Sequence, residues 1–264
     1  DRSVSRGLGD VYKRQHFVSN PKMINMVLFN GVDPRTGIQV LPPHNRELTT
    51  YEEFWDQYKK YYAKTLESTV KAGNIQHDIW RDRNMSIVNS LFKPDCLKNG
   101  HHIGHMGTRY NATYNIESCG TINMVNSLAA LKKLVYEDRK YALDDFRDAI
   151  KDNFGFYTAM ESKAFSLGEQ IKKPDVAKYD EIHGDCLKAP KHGNDEDYVK
   201  EILKEYEDWF CDLCNTYDSL YAKPMYACQI SVALHAAVGM ATFATPDGRL
   251  CNTAFADGSM SAYP

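Results

Sequence analysis

The spacing of the apolar residues constrains this chain more than any other feature. Val199, Ile202, Leu203, Tyr206, Trp209, Leu213, Tyr217 and Leu220 recur close to every 3.6 residues, which puts them on one face of a helix opened by Asp195 and expected to be the longest of the chain. Phe54, Tyr58, Tyr61, Tyr62 and Leu66 repeat the pattern behind Thr50 and Glu53, whose capping-box spacing predicts a helix from Tyr51 to about Ala72. Further helices are expected over 75–92, over TINMVNSLAALKKLVYED, where Met124, Leu128, Leu131 and Val135 form a stripe opposite Lys132 and Lys133, and from Leu143 through Phe146, Ile150 and Phe154 to Gly155. Strand candidates are few and short, 113–116 and 230–234. Such a pattern folds as long helices outside a few buried strands, an α/β class.

Turn chemistry punctuates the helices. NGVDPRTGIQVLPP from Asn30 reads as a loop, Pro94 and the glycines of KNGHHIGHMGTRY as an irregular crossing, and the stretch between Gly168 and Gly193 as polar and turn-rich. Thr245 to Arg249 (TPDGR) and Ala256 to Ser261 (ADGSMS) supply two tight turns among small residues; composition alone places them at the surface, although turns of this kind also fold a chain back beneath a buried site.

Charge and cysteine content narrow the function classes. With 32 Lys+Arg against 35 Asp+Glu the net charge is −3, which excludes an electrostatically driven nucleic-acid or acidic-membrane binder. The uncharged stretch from Met225 to Thr245 is interrupted by polar residues and bounded by Pro224 and Pro246, so it reads as buried strand and loop and not as a membrane span. Seven irregularly spaced cysteines point to a reducing, cytoplasmic compartment. Residues 1–15 have no signal-peptide core and resemble a translated adaptor sequence, so they are expected to be a foreign tail, with 16–264 a single partial domain cut at both ends.

His101, His102 and His105 fall in a glycine-containing loop, which reads as a loop and not as a zinc site, and Cys211 and Cys214 fall inside a helix, where core packing is expected; no metal is expected here. Dinucleotide, P-loop, nucleophile-elbow and zincin motifs are all absent from the sequence.

Five separated motifs occur together in one order: NPKMINMVLFNGVDPRTG, GTRYN, NSLAALKKLVYED, APKHGND, and ATPDGR with ADGSMSAYP. In this they resemble the glycyl radical enzymes of the pyruvate formate-lyase-like superfamily, over essentially all of 16–264. The resemblance implies part of a ten-stranded β/α barrel of two antiparallel half-barrels, wrapped by helices and incomplete at both ends. It implies a cysteine loop with a Gly-Cys-x-Glu motif and a glycine loop near the C-terminus; the glycyl radical is installed by a separate radical S-adenosylmethionine activating enzyme. None of the seven cysteines stands in that context, so this chain reads as the stretch between the two loops, binding no cofactor itself and inactive alone.

Within the superfamily the chain is most similar to the arylacetate decarboxylases, which implies decarboxylation of 4-hydroxyphenylacetate or a related acid, a homo-oligomeric core and an accompanying small iron–sulfur subunit. That branch carries a Glu after the Arg-Tyr element and a His before the Asn-Pro-Lys element; Glu117 and His16 fall at matching places and are the catalytic candidates, against the bland reading of a solvated loop carboxylate and a frayed end. A buried carboxylate would accept the phenolic proton as the electron leaves, with a donor to fix the ring. Met106-Gly107 in place of Gly-Gly, and Asn126 in place of Asp, tell against the diol or glycerol dehydratases, which with the formate acetyltransferase-like members make up the runner-up class. A non-catalytic helical interaction protein is the alternative of another kind.

Overall fold

The computed structural model describes residues 13–83, 87–108, 114–158, 161, 170–174, 176–218, 220, 224–229 and 234–256. In chain order the elements begin with strand β1 (Lys13–Ser19), helix α1 (Asn20–Leu28), the 33-residue α2 (Tyr51–Arg83), and the short α3 (Ile87–Leu91) and α4 (Pro94–Asn99). Strand β2 (Tyr114–Cys119) leads into α5 (Thr121–Leu131), which runs on as a π-helix over Lys132–Glu137. Then come α6 (Leu143–Lys151), a 3-10 turn (Asn153–Gly155), α7 (Asp180–Lys188), α8 (Asp197–Asn215), β3 (Tyr226–Cys228) and α9 (Leu234–Ala241). The chain divides into two compact units.

The first unit, residues 1–18, 63–118 and 207–229, holds a three-stranded sheet in the order β1-β2-β3. β2 and β3 run parallel, with Asn115 opposite Tyr226, Ile116 opposite Ala227 and Glu117 opposite Cys228. Residues 115–119 are all buried, as expected of a parallel strand covered on both faces. The end of α2 expected near Ala72 is not there: Gly73 weakens the helix by about 1 kcal/mol relative to Ala, but without a proline nothing stops it, and one helix continues to Arg83. The helix expected over 75–92 is thus the second part of α2 followed by α3.

The second unit comprises 19–62, 119–206 and 230–264. Its centre is α1 against α5. All eleven residues of α5 are buried, so the expected apolar stripe with a polar back is corrected: no face of that helix meets water, and Asn123, Asn126 and Ser127 bond within the interior. The charged side of the motif begins only in the π-helix, at Lys132. α2 opens as predicted, with Thr50 N donating to Glu53 Oε2 (3.2 Å) and Glu53 N donating to Thr50 Oγ1 (3.2 Å).

Three further expectations change. Helix α7 occupies a stretch expected to be turns; only Ile182 and Cys186 of it are fully buried. The helix expected to be longest, α8, has 19 residues and leaves Tyr217 and Leu220 beyond its end. The TPDGR turn is interior, with Thr245, Asp247 and Arg249 fully buried. β2 bears out the first strand candidate from Tyr114 onward; most of the second, 230–233, lies outside the described residues, and its last residue, Leu234, opens α9. Among the described residues no helix is long and apolar enough to cross a membrane. The class is a helix-rich α/β fold with three strands in its described sheet.

Candidate functional site

Successive residues of a strand alternate across the sheet, so in β2 Asn115 and Glu117 share one face. Glu117 is 2% exposed and lies opposite Cys228 of β3. It is neither in a loop nor solvated, which overturns the bland reading. Asn115, 1% exposed, donates from Nδ2 to Glu117 Oε1 at 3.2 Å. A carboxyl group taken out of water needs such a partner, because burial without one costs several kcal/mol.

His16 lies on β1, the strand hydrogen-bonded beside β2. The structure therefore brings the backbones of both sequence candidates into adjacent strands of one sheet; the His16 side chain is outside the described residues. The His101, His102 and His105 rings approach one another, His105 lying 5.4 Å from His101 and 5.9 Å from His102. His102 spends both ring nitrogens on backbone, with Nε2 at 3.0 Å from Arg81 O and Nδ1 accepting from Gly104 N. Among the described residues no group of three His, Cys, Asp or Glu is arranged to hold a metal. Cys214 is buried in α8 and Cys211 faces solvent, and burial pushes the Cys214 thiol up.

In the second unit the TPDGR turn is the hub of a buried polar network. Asp247 Oδ2 accepts from Asn123 Nδ2 (2.6 Å) and Oδ1 from Thr245 Oγ1 (2.5 Å), while Asn123 Oδ1 accepts from Ala256 N (2.7 Å). The Arg249 guanidinium donates to the carbonyls of Thr253 (2.8 Å), Thr242 (3.1 Å), Phe243, Leu250 and Gly239, and lies 4.9 Å above the Phe255 ring. Phe255 in turn leaves room only for a glycine at 120, where φ is +74° and a Cβ would come within 2.8 Å of the ring. Lys191 is buried with Nζ on the carbonyls of Cys186 (2.5 Å) and Ala189 (3.1 Å); burial holds its pKa down, against the pull of Asp247.

Sequence reasoning missed Asn115 and the interior place of TPDGR. The i, i+2 pairing of Asn115 with Glu117 is visible once β2 is recognised, whereas the burial of the turn has no local signal.

A family model described as pyruvate formate lyase-like matches residues 8–239. The chain is 53% identical over 248 residues to the 4-hydroxyphenylacetate decarboxylase glycyl radical subunit of Clostridioides difficile (strain 630), covering 94% of this chain and 28% of that one. It is 36% identical over 261 residues to indoleacetate decarboxylase of Tractidigestivibacter scatoligenes, covering 98% and 29%. Among solved structures it is similar to one described under 1,2-propanediol dehydration in Roseburia inulinivorans, with a TM-score of 0.77 and 26% identity over 94% of this chain and 30% of that one. The chain thus spans 28% of the decarboxylase subunit it matches. Sequence order, fold and these matches agree, and the chain belongs to the pyruvate formate lyase-like family of glycyl radical enzymes.

Proposed function

We propose that this chain is part of a glycyl radical lyase that decarboxylates 4-hydroxyphenylacetate or a closely related arylacetate. The observation that carries the reading is a carboxylate, Glu117, buried in the parallel β2–β3 pair beside an amide, in a chain 53% identical to a 4-hydroxyphenylacetate decarboxylase subunit. The stretch contributes strands and outer helices to a ten-stranded barrel closed in the longer parent, which carries the cysteine and glycine loops; the glycyl radical, installed by an activating enzyme, supplies the one-electron chemistry. Glu117 takes the phenolic proton as charge leaves the ring, and the His16 imidazole fixes the ring from β1. Carbon dioxide departs as the C–C bond breaks, Glu117 returns its proton to the ring oxygen, and the benzylic carbon would take a hydrogen atom from the parent's cysteine thiol, leaving 4-methylphenol. Closed packing about such a site excludes water.

In the same reading the parent is a cytoplasmic homo-oligomer with a small iron–sulfur subunit, and residues 1–15 are foreign, although the last three of them lie in β1 and the family model matches from residue 8. The dehydratase reading takes second place, because the propanediol structure shares half the identity of the decarboxylase subunit. The test is Glu117→Gln in the full-length parent, which keeps the shape and removes the acceptor. Decarboxylation is expected to fall by about 100-fold or more, the usual weight of a general base. An unchanged rate, or a parent that dehydrates a diol and ignores arylacetates, would falsify the assignment.

A further inference from the structure

Among the described residues Lys132 and Arg139 have no carboxylate partner. The lysines beside them do: Lys133 pairs with Asp138 at 2.8 Å, and Lys140 with Glu181 at 2.8 Å and Asp185 at 2.5 Å. The Lys132 ammonium sits instead against two aromatic rings, 5.2 Å from the centre of Tyr51 and 4.9 Å from that of Tyr198. Rings attract the charge, yet they do not satisfy its three N–H donors as a carboxylate would. Both cations line one cleft of about 520 Å³ in the second unit, between the start of α2 and the π-helix. A π-helix is a rare winding found frequently at functional sites. Arg139 follows it with a left-handed backbone (φ +51°), which a residue with a side chain adopts only at a cost.

The rest of the lining defines the ligand. Leu48 and Val135 give the cleft an apolar wall, while Glu52 and Glu137 also border it, so its formal charges cancel and a doubly charged anion meets repulsion there. Glu137 faces the Tyr198 hydroxyl, whose pKa is pushed up by burial and then by that carboxylate, and Glu52 is exposed. We infer that this cleft binds a monocarboxylic acid with an apolar body, its carboxylate on Lys132 Nζ and the Arg139 guanidinium and its body on Leu48 and Val135. The site uses neither Glu117 nor His16, so it stands apart from the decarboxylase reading.

The experiment uses the full-length parent protein before activation, so that binding is read without turnover. Titration calorimetry compares hexanoate with hexanamide, which has the same shape and no charge, and with hexyl phosphate, which carries a second charge. The wild type is expected to bind hexanoate tighter than hexanamide by about tenfold or more, the weight of hydrogen bonds to a charged group, and tighter than hexyl phosphate. Lys132→Met keeps an apolar stem and removes the donors. It is expected to weaken hexanoate by about tenfold and leave hexanamide unchanged, an outcome that general loss of structure does not produce. Arg139→Gln changes an exposed side chain, so it remains informative if the Lys132 variant fails to fold, and it is expected to weaken hexanoate by about threefold. No hexanoate binding at millimolar concentration, equal affinity for the amide, or preference for the phosphate overturns the inference. So does unchanged hexanoate affinity in Arg139→Gln or in a folded Lys132→Met.

Discussion

A guanidinium without water must find acceptors for five N–H groups in the protein, and Arg249 finds them in the Thr245 hydroxyl, which accepts from Nε, and in backbone carbonyls at the end of α9 and in the loop that follows, which accept from the two terminal nitrogens. It ties down chain ends that a helix leaves unpaired. Arg249→Met removes every donor at once and leaves those carbonyls buried, so urea unfolding of the chain is expected to lose about 3 kcal/mol or more. Arg249→Lys restores little of it, because a lysine has no planar fork; recovery to within 1 kcal/mol of wild type, on the order of one hydrogen bond, would sink this account. His183 makes a second prediction. Its Nε2 meets Gly248 O at 2.9 Å, its ring stacks on Phe154 at 4.8 Å, and Phe156, Asp180 and Lys172 surround it. Burial lowers its pKa below the usual 6.5, so the folded state prefers the neutral ring. That stability is present above pH 6.5 and lost as pH falls through the folded value. His183→Gln is expected to flatten the stability profile just below pH 6.5; an unchanged slope in pH-dependent urea melts would count against it.

Elements were legible in proportion to how local their causes are. The start of α2 was readable because Thr50 and Glu53 are three residues apart and bond to each other. Bonds from Thr49 Oγ1 and from the amides of residues 49 and 50 hold the Glu53 carboxyl below the usual range. The cap is therefore made above the ordinary carboxylate range and lost as pH falls through the depressed value. Glu53→Gln should remove that part of the acid limb of the melting curve, and an identical acid limb in the variant would show that the cap is idle. Helix α7 is illegible because its two fully buried residues, Ile182 and Cys186, make too faint a stripe among Asp, Glu, Lys and Gly184. The TPDGR turn was misplaced because its composition is that of any surface turn; the partners that bury it, Asn123 and Ser127, stand more than a hundred residues away in sequence. Glu117 is singled out by family resemblance alone, and its burial has no local signal: the residue opposite it, Cys228, lies on β3, a strand of three residues with no clear periodicity. At the joint between β2 and α5, Gly120→Ala is expected to cost more than about 1 kcal/mol, because the backbone is left-handed there and the new methyl meets Phe255 and Pro21. Thermal melts that matched wild type would show that the joint can relax.

At the scale of the molecule, the chain forms two compact units while spanning 28% of the decarboxylase subunit it matches. The first unit leaves Ile75, Ile79, Ile87, Val88, Leu91, Phe92 and Leu97 exposed, with Phe92 at 78%. Isolated apolar side chains are ordinary at a surface, but seven of them within 23 residues of sequence mark surface that calls for a cover. The cysteines point the same way. Burial pushes the Cys251 thiol up to about 11 and raises those of Cys186 and Cys214, which disfavours their thiolates. The isolated 264-residue chain is therefore expected to fold, to bind a hydrophobic dye through the exposed apolar residues, and to release no 4-methylphenol from 4-hydroxyphenylacetate after anaerobic incubation with an activating enzyme. Replacing Leu91 and Phe92 by Ser should lower the dye signal and leave the melting temperature nearly unchanged. Turnover by the isolated chain would place the radical-bearing groups within these residues and overturn the division of labour proposed for the parent enzyme. Undiminished dye binding in the double variant would show that the apolar surface lies elsewhere.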